Sequence, residues 1–142
     1  MGSGEDAVME LHGMRDRPAC HHGLTIRGLI AEAHATAREK GWHDSGFDAR
    51  TFGEEIALFH SELSEAMEAY REGDDLTRIT HAPMAAGECS PAKPEGVAVE
   101  LADTLIRIFD TCGARGIPLE EALRQKMAYN KTRLHRHGGK RI

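Results

Sequence analysis

At 142 residues, with 40% hydrophobic and 29% charged side chains, the chain has the size and composition of one folded domain that buries a core without a disulfide framework. A formal net charge of −5 argues against a general nucleic-acid binder, and no stretch approaches the roughly 20 apolar residues of a membrane span. The start, Met1-Gly2-Ser3-Gly4-Glu5-Asp6, lacks the regions of a signal peptide, and three cysteines without close spacing (Cys20, Cys89, Cys112) suit a reducing, cytoplasmic setting.

Aromatic residues are only 5% of the chain and β-branched residues are sparse beside Ala, Leu, Glu, Arg and Met, so helices are favoured throughout and the expected class is all-α. Residues 1–23 show no sustained period and read as a flexible lead-in; Cys20-His21-His22 is poorly spaced for a tetrahedral metal. From 25 to about 40, Ile26, Leu29, Ile30, Ala33 and Ala37 recur at helical steps, with Thr25 as N-cap and Gly41 as stop. Residues 41–51 read as a connection around Trp42, an anchor for that loop or a surface for a base. A second helix is expected from about 52 to 72, its apolar side carrying Ile56, Phe59, Leu63, Ala66, Met67 and Tyr70, with Gly73 as terminator.

A long connection follows at about 73–93. Pro94 suits the first turn of a third helix whose apolar line is Val97, Leu101, Leu105, Ile108 and Cys112, widened by Ala98, Ala102 and Phe109. Gly113 to Gly116 are expected to break it. Pro118 should start a fourth helix with Leu119, Ala122, Leu123 and Met127 buried, running to a basic end near His137. The domain is therefore expected over 24–137, with a tail at 138–142.

Two of these helices carry carboxylate pairs three residues apart: Glu62 with Glu65, and Glu100 with Asp103. At about 100° per residue each pair stands roughly 60° apart and one turn up the same side of its helix, so both members can reach one ion. The first pair lies on the shoulder of the apolar face, where it can turn toward a neighbouring helix. Four converging carboxylates would take up protons unless a cation sat among them, and a hard divalent ion, Mg²⁺ with Mn²⁺ as substitute, suits oxygen ligands. The plainer reading is that these acids, with Arg107 and Asp110, form a solvated helix surface. On the fourth helix Lys126, Asn130 and Arg133 fall on one stripe, with Tyr129 beside them, and cations plus an amide suit a nucleotide; the plainer reading is a basic helix end complementing the macrodipole.

In that order, Glu62-Leu63-Ser64-Glu65, Glu100-Leu101-Ala102-Asp103 and Lys126-Met127-Ala128-Tyr129-Asn130-Lys131-Thr132-Arg133 resemble the MazG-like branch of the all-α nucleoside triphosphate pyrophosphohydrolases, over about 25–135. The resemblance implies a four-helix MazG-like bundle assembled as a homodimer or homotetramer. It also implies Mg²⁺-dependent hydrolysis of nucleoside or deoxynucleoside triphosphates between the α- and β-phosphates, in nucleotide-pool housekeeping. Glu62, Glu65, Glu100 and Asp103 would hold the metal; Lys126, Asn130 and Arg133, with Tyr129 and Trp42, would hold the nucleotide. The connection between the acidic pairs is longer than in compact members. A related hydrolase specific for dUTP or phosphoribosyl-ATP, or a non-enzymatic helical oligomerisation module, are the other readings.

Overall fold

The computed structural model describes residues 24–44, 50–83 and 91–134. These form α1 (Ile26–Glu39), α2 (Phe52–Glu72), α3 (Val97–Arg115) and α4 (Leu119–Thr132), with a small ribbon of β1 (Thr80–His81) and β2 (Pro94–Glu95) between α2 and α3. The lead-in with its Cys20-His21-His22 tract, Phe47, Cys89, the basic end near His137 and the 138–142 tail lie outside the described residues. No helix among the described residues is long and apolar enough to cross a membrane.

The helix ends follow local chemistry. Thr25 caps α1 by accepting from the Gly28 N–H at 3.0 Å. Thr51 and Glu54 form a reciprocal capping box on α2, and these hydrogen bonds to Thr51 hold the Glu54 carboxyl below its usual range. At the far end of α1, Gly41 sits in the left-handed region (φ 78°), Trp42 N–H donates to Ala37 O and Gly41 N–H donates to Arg38 O, the two bonds of a Schellman turn. That turn sends the chain back across the bundle, which places Trp42 and His43 above α3.

α3 lies between α1 and α2 and packs along both, while α4 packs on α1. Near the start of each, the Arg27 N–H at the head of α1 donates to Glu120 of α4 at 2.9 Å. α2 and α3 run antiparallel along a seam closed by two ion pairs, Glu55 with Arg115 and Glu62 with Arg107. The pairs are spaced by two turns on each helix, so they share one register. Arg115 also donates to the Arg50 carbonyl at 3.0 Å, tying the end of α3 to the chain entering α2.

Three features depart from the sequence expectations. Pro94 is not in a helical first turn: it pairs with His81 in the ribbon, where an edge position spares its missing N–H, and α3 begins only after Gly96. Gly96 has φ 118° and is buried, and a Cβ there would lie 3.1 Å from the Arg78 carbonyl, so the ribbon's return onto α3 depends on glycine. Gly113 does not break α3, which continues to Arg115 and ends on Gly116 (φ 64°). A Cβ at Gly113 would meet the His34 Cβ at 2.6 Å, so this glycine is where α1 and α3 make close contact.

The third departure is the core. Only Ala66, Val97, Phe109 and Cys112 are buried apolar residues among those described, joined by Glu62, Thr104 and Thr111. The expected apolar lines are partly uncovered: Leu63, Met67 and Tyr70 on α2, Leu101 and Leu105 on α3, and Leu123 and Met127 on α4 are all exposed. Periodicity identifies which side of a helix is apolar, but it does not tell which partner covers it.

Candidate functional site

The antiparallel seam brings both acidic pairs to one place. Single carboxylate oxygens of Glu62, Glu100 and Asp103 all lie within 4.8 Å of one another. Glu65, on the more exposed side of α2, is close enough to act on Glu100. Burial, followed by the charges of Glu65, Asp103 and Glu62, pushes the Glu100 carboxyl above its usual range, with Lys93 opposing them. The four acids therefore form one electrostatic group, and the donor set is all oxygen, which fits a hard divalent ion.

Glu62 is the buried member, its side chain 7% exposed, and Arg107 Nε donates to its Oε1. That guanidinium offsets part of the local negative charge and fixes one oxygen of Glu62. It also lies over the Trp42 ring, 5.8 Å from its centroid, as does Arg50. Arg107 thus links the acidic cluster to the single tryptophan. The solvated-surface reading of Arg107 is set aside by this pairing.

A cleft of about 640 Å³ opens beside the cluster between α1, α3 and the turn after α1. Glu62, Asp103 and Arg107 stand on its polar side; Leu29, Ile106 and Phe109, together with Trp42, form much of its apolar wall. A cavity lined by carboxylates and by a tryptophan ring can hold a cation and a planar apolar group together.

The helix-four stripe lies elsewhere. Lys126 and Asn130 are exposed on α4, Arg133 lies just past its end in extended backbone rather than on the expected helical stripe, and none of the three lines that cleft. The Lys126 ammonium and the Arg133 guanidinium both sit over the Tyr129 ring, at 5.3 and 5.8 Å. Within one chain the structure therefore joins Glu62, Glu65, Glu100, Asp103 and Trp42, and leaves the α4 group separate.

Sequence reasoning missed a second cluster. His34 of α1, His43 of the following turn and Asp110 of α3 converge: His34 Nδ1 and His43 Nε2 each lie 2.9 Å from Asp110 Oδ1. The residues are distant in sequence and share no motif spacing. The only signal available was the excess of histidine, nine residues in the chain. No family model, curated protein or solved structure matches the chain.

Proposed function

We propose that the protein is a MazG-like, Mg²⁺-dependent nucleoside triphosphate pyrophosphohydrolase that releases the monophosphate and pyrophosphate from its substrate. The observation that carries this reading is the convergence of Glu62, Glu100 and Asp103 within 4.8 Å, next to a cleft walled by Trp42. The resemblance of the three sequence motifs, in order, supplies the reaction class.

Glu62, Glu100 and Asp103, with Glu65 beside them, would hold Mg²⁺, which would supply charge neutralisation for phosphate oxygens and Lewis acidity toward the attacking water. The protein's own groups do the rest. The carboxylates concentrate negative charge that would repel a bare triphosphate, so they select for a substrate whose phosphates are neutralised by a cation. Trp42, which lines the cleft with Arg107 beside its ring, would pack its indole against the base. Water attacks one phosphorus of the α–β anhydride, that bond breaks, and the two products leave with the elements of water divided between them.

Because Lys126, Tyr129, Asn130 and Arg133 do not line the cleft of the chain that bears them, they serve it in this reading from a second copy. The uncovered apolar residues of α2 and α3 support an assembly of at least two copies, since a soluble monomer seldom leaves such a face open. A cytoplasmic setting agrees with the free, buried thiol of Cys112.

The deciding experiment incubates purified protein with a panel of nucleoside and deoxynucleoside triphosphates, including dUTP, and with phosphoribosyl-ATP, each with and without Mg²⁺, and resolves the products. Monophosphate plus pyrophosphate, formed only with metal and lost in Asp103→Asn, is the expected result. Turnover of dUTP or phosphoribosyl-ATP alone would move the assignment to the corresponding narrow hydrolase. Intact substrates throughout, with no Mg²⁺ binding, would leave a helical oligomerisation module.

A further inference from the structure

We propose that His34, His43 and Asp110 form a second metal site, for a borderline transition ion of the Zn²⁺ type, separate from the carboxylate cluster. Three elements deliver its ligands: α1, the turn after it, and α3. One nitrogen from each imidazole and one oxygen of Asp110 lie within 4.8 Å of one another, and His43 Nε2 also lies 3.1 Å from Asp110 Oδ2. The two rings stand edge to face, centroids 5.0 Å apart and planes at 75°, so their nitrogens approach the carboxylate from different directions.

The spacing is close to what an ion requires. Nitrogen and oxygen ligands about 2.0–2.1 Å from a tetrahedral Zn²⁺ stand roughly 3.3 Å from one another, so the two 2.9 Å contacts need to open by a few tenths of an ångström while the two nitrogens, within 4.8 Å of each other, settle to the same separation. The donor set also separates this position from the all-oxygen cluster, because imidazole favours Zn²⁺ and its neighbours over Mg²⁺. Asp110 is two turns along α3 from Asp103, about 10 Å of helix rise, so the two positions do not share an ion.

Access and packing agree with a built site. The three side chains are each about a quarter exposed, so solvent reaches the cluster, and a hollow lined by Ala35, Arg38, Glu39, His43 and Asp44 opens beside His43. Gly113 is the second feature. A glycine inside a helix costs up to about 1 kcal/mol relative to alanine, and here it removes the Cβ that would collide with His34, one turn from Asp110.

The same three residues can also act as a plain hydrogen-bonded tie, with an ionised Asp110 accepting from both rings. Ligation uses the other tautomers, the proton moving to His34 Nε2 and His43 Nδ1 so that both lone pairs face the ion. The ion would then fasten the turn that carries Trp42 onto α1 and α3.

Equilibrium dialysis of the full-length chain against Zn²⁺, with Mg²⁺ in excess, separates these accounts, and its readout is metal content rather than turnover. We expect Zn²⁺ binding that Mg²⁺ does not displace, lowered about 100-fold in His43→Asn and in Asp110→Asn, and unchanged in His60→Asn. At about 100 times its dissociation constant Zn²⁺ should raise the wild-type Tm by roughly 5–10 °C. His43 lies outside the helices, so its replacement keeps the helical circular dichroism by which folding is checked. Unaltered Zn²⁺ stoichiometry and affinity in folded His43→Asn, which is also what zinc held by other histidines would give, or no Zn²⁺ uptake by the wild type, overturns the proposal.

Discussion

Replacing Arg107 by methionine tests whether the acidic cluster is held together by its own cation. The side chain of Glu62 is 7% exposed and that of Arg107 is 30% exposed, so the pair is shielded on one side and wet on the other. Two unit charges about 4 Å apart attract by about 4 kcal/mol at an effective dielectric of 20. Desolvation and the exposure of Arg107 take back part of that, which leaves about 2 kcal/mol lost on removing the guanidinium. For a domain of this size, that loss lowers the midpoint of thermal unfolding by about 8 °C.

The assay is circular dichroism on wild type, Glu62→Gln, Arg107→Met and the double variant at one protein concentration, first with a chelator and then with Mg²⁺. A coupling energy of about 1–2 kcal/mol is expected in the chelator. Mg²⁺ should recover most of the loss in Arg107→Met, because an ion among the carboxylates replaces the missing positive charge. Coupling below about 0.3 kcal/mol, within the error of additivity, would show that the contact carries no energy and that Glu62 is stabilised by something else.

The raised Glu100 carboxyl gives a signed pH dependence, because the folded protein holds that proton more tightly than the unfolded chain. Its contribution to stability therefore falls as pH rises from the ordinary glutamate range, about 4.3, through the raised value, and urea titrations without metal should show Glu100→Gln losing less stability than wild type over that interval. If the two profiles run parallel, the repulsion among the four acids is not felt. Lys126→Ala should raise KM about tenfold and leave Mg²⁺ affinity unchanged; identical Michaelis parameters would remove Lys126 from the site. In an equimolar mixture of inactive Asp103→Asn with Lys126→Ala, assayed between the wild-type and the raised KM, about a quarter of the sites should regain the wild-type KM if a site draws on two copies of a dimer, and none if it does not. Leu105→Glu should shift the protein toward monomer in light scattering while keeping its helical signal, since Leu105 is exposed in the chain; an unchanged mass would place any interface elsewhere.

The sequence determined the elements because helix chemistry is local. The apolar steps of α2, the cap at Thr25 and the stops at Gly41 and Gly73 act over a few residues, and the helices lie where those signals put them. The three-residue spacing likewise put each acidic pair on one side of its own helix. Pro94 and Gly113 misled for the opposite reason: a proline accepted in a ribbon edge and a glycine required by a neighbouring helix are decided by contacts with Lys93–Ala82 pairing and with His34, not by their sequence neighbours.

Tertiary structure alone decided what those helices face. The register of α2 against α3 set Glu62 beside Arg107, and the turn at Gly41 carried Trp42 over the same arginine. His34 and Asp110 are 76 residues apart, and no sequence period joins them. A motif states which side chains share a helix face; charge pairing, metal geometry and cleft shape depend on distances between elements, and those are produced only by packing.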